Sequence, residues 1–211
     1  MKKFAPIDIN VTIARKEYDE FKSRILAKTD LKEREDILAF LKEKQYLSAL
    51  IPSFLFIKWD LVALEKPIGG DFRTDLVVGN SEDNKFILIE FENAEENSLF
   101  KQDNKRGIRA FGTRFNDALS QITDWFWKID ESSDTDKRNF FEISSTDNLE
   151  YEGLIIIGRD CYMKGLDERR LRWRSNRTII NSQNFKVITY DVLIKKMGEV
   201  LATLESLAAF K

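Results

Sequence analysis

The sequence predicts an α/β fold in which a mixed central sheet is flanked by helices, with further helices at both ends of the chain. Three observations predict it. Apolar residues first recur at helical spacing, three consecutive strand-like segments follow, and a long amphipathic helix then precedes two more strands and a terminal helix. With 211 residues and 43% hydrophobic content, the chain can bury a substantial core.

The N-terminal half is predicted to supply two helices and three strands. Apolar residues at helical spacing predict helices over about residues 18–26 and 33–50. Strands are predicted at about residues 59–64, 72–78 and 85–91, separated by turn-forming residues. Three strands in a row imply an antiparallel meander.

The C-terminal half is predicted to contain a long helix, a surface loop, two strands and a final helix. In chain order they occupy about residues 108–129, 130–148, 153–158, 186–190 and 192–209. The long helix carries its apolar residues on one face, while Arg114, Gln121 and Trp125 belong to a second stripe. Asp191 is placed to cap the final helix.

Composition excludes several classes of enzyme and of site. The chain has no histidine, which rules out a Ser-His-Asp triad, a Cys-His dyad and histidine-ligated metal centres. Its single cysteine, Cys161, excludes an internal disulfide. No apolar run approaches the roughly 18 residues of a membrane span, and the start of the chain does not resemble a signal peptide. We therefore expect a cytoplasmic protein with no membrane partner.

Three carboxylates stand beside apolar strand segments. Asp75 precedes the run Leu-Val-Val, and Glu90 and Glu92 end the run that begins at Phe86. Residues two apart in a strand point to the same face, so Glu90 and Glu92 project together and Asp75 can reach them from the adjacent strand. Burying several like charges costs several kcal/mol unless a cation neutralises them. The pattern predicts a cation site.

Basic residues are concentrated between Arg159 and Arg177, although the net charge of the whole chain is only −2. Trp173 lies among these arginines, and such clusters bind phosphates while an aromatic ring can stack on a base. The predicted DNA contacts are Arg159, Arg172, Arg174 and Arg177. Two other interpretations stay open: a solvated loop with internal salt bridges, and a contact with the acid-rich residues 82–96 across a subunit interface.

Several short motifs occur in an order typical of one known family. They are DLVV (75–78), FILIEFE (86–92), ALSQITDW (118–125), GLIIIGR (153–159) and ITYD (188–191). In this respect the chain resembles the nuclease domain of the Shedu antiphage proteins, within the PD-(D/E)XK nuclease superfamily. The resemblance covers roughly residues 33–194. It implies a restriction-endonuclease-like core over residues 33–211, preceded by an N-terminal helical extension over residues 1–32.

The resemblance implies metal-dependent cleavage of DNA, with Asp75 and Glu90 as the main ligands of Mg²⁺ or Mn²⁺. Glu35, on the helix before the sheet, is the candidate for an additional acidic ligand, and Glu33 and Asp36 are its alternatives. Gln121 is expected beside the site, where its amide can bond a phosphate or a metal-bound water.

Glu92 departs from the superfamily pattern, since it stands where E-x-K places a lysine. It could be a further metal ligand, which would favour hydrolysis with two metal ions. A lysine could also reach the site from the following loop, where Lys101 and Lys105 are the candidates.

Two classes of function remain open from the sequence. One is a DNA endonuclease in antiphage defence, and the other is a non-catalytic DNA-binding or assembly subunit with the same fold. The resemblance also implies a homo-oligomer, a dimer or a tetramer, and aromatic residues around Trp125 and Trp127 are the predicted contact surface.

Overall fold

The computed structural model describes residues 3–55, 58–103, 107–180 and 182–209, which form a mixed sheet between two helical layers. The strands are β1 (Ala5–Pro6), β2 (Leu61–Leu64), β3 (Pro67–Ile68), β4 (Phe72–Arg73), β5 (Leu76–Asn80), β6 (Lys85–Phe91), β7 (Phe100–Lys101), β8 (Ala110–Phe111), β9 (Glu150–Ile156), β10 (Ile179–Ile180) and β11 (Gln183–Ile188). The α-helices are α1 (Val11–Leu26), α2 (Ala39–Leu41), α3 (Gln45–Leu50), α4 (Thr113–Asp130), α5 (Asp134–Phe141), α6 (Asp167–Arg177) and α7 (Tyr190–Ala208). A π-helical segment, Glu33–Leu38, leads directly into α2, and a 3₁₀ turn, Asp160–Tyr162, follows β9.

The central sheet has seven strands in the order β1-β2-β5-β6-β9-β11-β10. Strands β2, β5 and β6 pair antiparallel, which confirms the predicted meander. Strand β9 then runs parallel to both β6 and β11. The chain returns from β6 to β9 through α4 and α5, because a parallel connection needs a crossover.

Two hydrophobic cores lie on opposite faces of this sheet. In β6, Ile87 and Ile89 join the core formed with α1, α3 and α7, whereas Phe86 and Leu88 join the core formed with α4, α5 and α6. This alternation with a period of two is expected of a strand that is buried on both faces. The mixed α/β fold predicted from the sequence is confirmed at this level.

Helix α1 packs against the same core as the rest of the molecule. Its Phe21 and Ile25 are fully buried, and the hydroxyl of Tyr18 donates to the carbonyl of Ile194 in α7 at 3.0 Å. The helix of the predicted N-terminal extension is therefore part of the helical layer that covers one face of the sheet. In the parts of the chain described, none of the helices combines the length and the apolar character needed to cross a membrane.

Several local predictions were wrong. The helix predicted over residues 33–50 is broken at residues 42–44, between α2 and α3. The strand predicted over residues 72–78 is interrupted at Thr74 and Asp75, so Asp75 lies just outside β5. The predicted loop at residues 130–148 contains α5, whose phenylalanines pack in the core. The predicted helix at residues 108–129 starts later, at Thr113, after a short strand pair.

Another wrong prediction concerns the cap of the final helix. Thr189, rather than Asp191, is the N-cap of α7, and its hydroxyl accepts from the Val192 amide at 3.2 Å. The carboxylate of Asp191 instead pairs with Arg159 at 2.9 Å.

Candidate functional site

The predicted acids meet at the carboxyl end of β6, where parallel strands of an open α/β sheet commonly present a binding site. Because Leu76 pairs with Ile89, Asp75 lies beside Glu90 on the neighbouring strand. The main-chain amide of Phe91 donates to Asp75 Oδ2 at 2.9 Å and holds this carboxylate in place. Asp75 and Glu90 are thus brought together as predicted.

The Asp75–Glu90 pair is buried and electrostatically unfavourable without a cation. Glu90 is only 4% exposed, and its Oε2 atom is buried without a hydrogen-bond partner among the residues that the structure describes. Burial raises the pKa of both carboxyls, and repulsion from neighbouring acids raises them further. A buried oxygen without a partner costs about 1–3 kcal/mol, so the arrangement favours an added cation or proton.

Glu92 is also buried, but it already has a cationic partner. Arg114 Nη1, in the first turn of α4, donates to Glu92 Oε2 at 3.2 Å, and the main-chain amide of Asn93 approaches the same oxygen at 3.3 Å. Burial raises the pKa of Glu92, and Arg114 opposes that rise. Arg114 Nε also lies 3.7 Å from Glu95 Oε2.

A glycine permits the position of Arg114. At Gly112, the N-cap of α4, an added Cβ would lie 2.3 Å from the Ser98 carbonyl oxygen and 2.4 Å from that of Asn97. The helix can begin this close to the chain that follows β6 only because residue 112 has no side chain. This close approach brings Arg114 to Glu92.

Glu33, rather than Glu35, is the acid that the preceding helix contributes. Its main-chain amide donates to Asn93 Oδ1 at 2.9 Å, and its charge acts on both Asp75 and Glu90. Burial raises the pKa of Glu33. Glu35 is exposed. The third candidate, Asp36, is buried but accepts from Lys28 Nζ at 2.5 Å and from the Lys32 amide at 2.9 Å.

Tyr190 contacts the backbone of the site at Glu92. Its fully buried hydroxyl donates to the main-chain carbonyl of Glu92 at 2.9 Å. Burial and the nearby acids raise its pKa well above the ordinary value, so the phenol stays protonated. The first residue of α7 therefore fixes the backbone that carries Glu92.

Of the other residues predicted beside the acids, Gln121 and Lys101 belong to the described part of the chain. Gln121 is exposed two helical turns beyond Arg114 along α4. Lys101 donates to Thr113 Oγ1 at 3.1 Å. Lys105 is outside the described residues.

The donor set suits a hard divalent cation held by few protein ligands. Among the residues that the structure describes, no three Asp, Glu or Cys side chains form a ready-made metal cluster. Mg²⁺, however, is commonly bound by one or two carboxylates together with waters and substrate phosphates. Asp75 and Glu90, with the unpaired Oε2 of Glu90, fit that mode of binding.

The basic stretch forms α6 and the turn before it, and its arginines have different environments. Arg159 is buried, with its guanidinium bonded to Asp191 and to the carbonyls of Ile25 and Lys28. Arg174 is half-buried over the rings of Phe111 and Phe115, 4.6 and 5.1 Å from their centroids.

Two of the predicted DNA contacts, Arg172 and Arg177, reach solvent. Arg172 is exposed and pairs with Glu168 at 2.5 Å, while Arg177 and Trp173 are also exposed. Arg159 therefore stabilises the fold through its buried hydrogen bonds. Arg172 and Arg177 are accessible to a ligand.

Fold and site together define an α/β protein with a buried carboxylate pair at the carboxyl end of a mixed sheet. The family model described as Shedu protein SduA, C-terminal, matches residues 30–194. This chain belongs to that Shedu family, and membership suggests a role in antiphage defence. No curated protein matched the chain.

The sequence does not assign Arg114 or Tyr190 to the site, and it offers Glu33 only as an alternative ligand. Arg114 belongs to the second stripe of the long helix, and this stripe is the sequence signal that could have indicated its contact with the acids. Glu33 was an alternative to Glu35 rather than the first choice. Tyr190 was predicted as the end of a strand, and nothing in its local sequence indicates contact with an acid 98 residues away.

Proposed function

We propose that this chain is a metal-dependent deoxyribonuclease with a PD-(D/E)XK-like core that acts in the cytoplasm in antiphage defence. The observation that carries the proposal is the buried Asp75–Glu90 pair, in which Glu90 Oε2 accepts no hydrogen bond from the described part of the chain. A protein gains nothing in stability from such a pair, so a bound cation is the simplest reason to have it.

The topology around the pair supports the proposal. An antiparallel meander continues into parallel strands through a helical crossover, with the acids at the start of its second strand and the end of its third. This arrangement supports the PD-(D/E)XK-like core that the resemblance of the sequence motifs implies.

Each acid has a role in the proposed reaction. When bound, Mg²⁺ or Mn²⁺ polarises the scissile phosphate and lowers the pKa of the attacking water. Asp75 and Glu90 would hold the cation, with Asp75 oriented by the Phe91 amide. Glu33 and Glu92 add negative charge around it, and Glu92 becomes available as a further ligand once Arg114 moves away.

DNA is the proposed substrate and α6 the proposed DNA-binding element. Helix α6 presents Arg172 and Arg177 with the exposed ring of Trp173, while Arg174 stacks on Phe115, the neighbour of Arg114 in α4. The basic surface is therefore linked through one aromatic contact to the helix that reaches the acids. Phosphates bound along it would continue towards the carboxylate pair.

A non-catalytic DNA-binding or assembly subunit is the second candidate. The observation that favours it is the pairing of Glu92 with Arg114, which leaves two rather than three carboxylates for a metal. In that case the acid pair would be protonated or would bind a cation without cleaving DNA.

Incubation with plasmid separates the two candidates. Wild-type protein is incubated with linear and supercoiled plasmid in Mg²⁺, Mn²⁺ or EDTA. Cleavage that requires metal and that E90Q and D75N reduce by at least about 100-fold would support the nuclease. E17Q is the matched control, because Glu17 is also a buried carboxylate but lies between α1 and α3. DNA binding without cleavage in either metal would favour the second candidate.

A further inference from the structure

Arg114 joins the buried acids to the protein surface. Its side chain is 43% exposed, whereas that of its partner Glu92 is 6% exposed. The guanidinium therefore has one edge against a buried carboxylate and the other in solvent. A ligand that approaches the acids from outside would meet Arg114 first.

Arg114 is held loosely compared with other paired arginines of the chain. The structure shows one hydrogen bond from its five N–H groups within the described residues, at 3.2 Å to Glu92. Arg15, in contrast, makes two bonds of 2.7 Å to Glu205. A bidentate pair fixes a guanidinium more firmly than one longer bond does. Arg114 can leave its partner at smaller cost than Arg15 can.

The two acids beside Arg114 would respond differently to its departure. Glu95 also contacts Lys32 Nζ, so it would keep a cation. Within the described residues, the Glu92 carboxylate would keep the 3.3 Å contact with the Asn93 amide and no other hydrogen bond. Movement of Arg114 would therefore unmask the negative charge of Glu92 next to the Asp75–Glu90 pair.

We propose that Arg114 binds the scissile phosphate and supplies the positive charge for which the E-x-K pattern uses its lysine. This inference rests on the proposed nuclease function. When DNA binds, the Arg114 guanidinium leaves the Glu92 carboxylate and binds a phosphate instead. One anionic partner is thus replaced by another. Its planar donors match phosphate oxygens in pairs, and the charge it supplies offsets the negative charge that develops in phosphoryl transfer. Glu92 is left to face the cation site.

The test compares R114Q and R114K with R15Q, the matched control, in which an arginine with a glutamate partner is changed elsewhere. The first measurement is the binding of a short DNA duplex in EDTA over a range of salt concentrations. R114Q should lower the slope of log affinity against log salt by about one unit, as expected for one lost phosphate contact. R114K and R15Q should keep the wild-type slope.

The second measurement is the single-turnover rate of cleavage in Mg²⁺. R114Q should reduce it about 100-fold or more, as expected for the loss of one donor to a transition state, and R114K should recover part of it. The double variant E92Q/R114Q removes both charges together. It should keep the fold in thermal melting and still show the smaller salt slope.

The outcomes separate this inference from the proposed function. If the wild type cleaves DNA and R114Q retains both slope and rate, Arg114 only neutralises Glu92 and the inference is wrong. If the wild type cleaves nothing but R114Q loses one unit of slope, the phosphate contact stands and the nuclease proposal fails. If the wild type does not bind DNA, both fail.

Discussion

At the scale of single residues, the sequence identified the acid pair but not its surroundings. Asp75 and Glu90 were predictable because strand pairing brings the start of one strand to the end of the next. The choice between Glu33 and Glu35 was not predictable, since Glu33–Leu38 is π-helical. A π-helix has more residues per turn than an α-helix. A prediction that assumes 3.6 residues per turn therefore places these glutamates on the wrong face of the helix.

The pH dependence of stability should reveal the buried pair. Because the pKa values of Asp75 and Glu90 are raised in the folded protein, the folded state holds their protons more tightly than the unfolded state does. Their contribution is fully present below the unfolded pKa of about 4 and is lost as the pH rises through the raised values. Without metal, E90Q should therefore melt above the wild type at pH 8, and the difference should shrink towards pH 5.

The size of this effect and its response to metal can both be measured by thermal melting. If E90Q removes a destabilisation of about 1–3 kcal/mol, the melting temperature should rise by roughly 2–10 °C for a chain of this length. Added Mg²⁺ should raise the melting temperature of the wild type and leave that of E90Q unchanged. A metal-free E90Q that melts below the wild type at pH 8 would contradict the account of the pair.

At the scale of elements, long amphipathic segments were predicted and short polar helices were not. The hydrophobic stripe of α4 marked the helix, although Trp125 is buried with that stripe instead of lying on an exposed second one. Helices α5 and α6 were assigned to polar surface segments because most of their residues are charged or polar. Each is held by few buried side chains, so periodicity gives little signal.

The N-cap of α7 should contribute measurably to stability. Thr189 caps the helix and also donates to Asp160 Oδ1 at 2.6 Å, and the next residue, Tyr190, supports the backbone of Glu92. T189A should lower the free energy of unfolding by about 1–2 kcal/mol in urea denaturation. T203A, an exposed threonine within the same helix, should change it by no more than about 0.5 kcal/mol. Equal effects of the two substitutions would show that the cap is unimportant.

DNA binding should depend on the exposed arginines of α6. Arg174 is a poor probe, because removing it also removes packing on Phe111 and Phe115. The double variant R172A/R177A should weaken DNA binding and reduce the salt slope by about two units, without loss of metal binding. R138A, an exposed arginine of α5, is the control. If both proteins bind DNA like the wild type, the DNA path lies elsewhere.

At the scale of the whole molecule, both cores share the sheet, and the helices before and after it pack on one face. The chain order of the five longer strands, β2, β5, β6, β9 and β11, was predictable from turns and apolar runs, whereas the two-residue edge strands β1 and β10 were not predicted. Their order in the sheet, with β10 at the edge beyond β11, depends on pairings between distant segments that leave no local pattern.

We expect a dimer or a tetramer in solution. Of the two tryptophans predicted for a contact surface, Trp125 is 1% exposed and lies in the core, whereas Trp127 is 55% exposed. Trp127 is therefore the residue to test. Light scattering after size exclusion should give a multiple of 24.7 kDa, and W127S should shift the population towards smaller species. A wild-type mass near 24.7 kDa at high protein concentration would exclude the assembly.

The two margins of the central sheet limit how copies of this chain can associate. Each outer strand, β1 and β10, is only two residues long, and β1 contains Pro6, which lacks an amide donor. An edge strand of two residues can form very few main-chain hydrogen bonds with a strand of a neighbouring molecule. Growth of filaments by edge-to-edge pairing of sheets is thereby disfavoured. We therefore expect copies of the chain to associate through side chains on the helical faces, where single substitutions can alter the geometry of the contact.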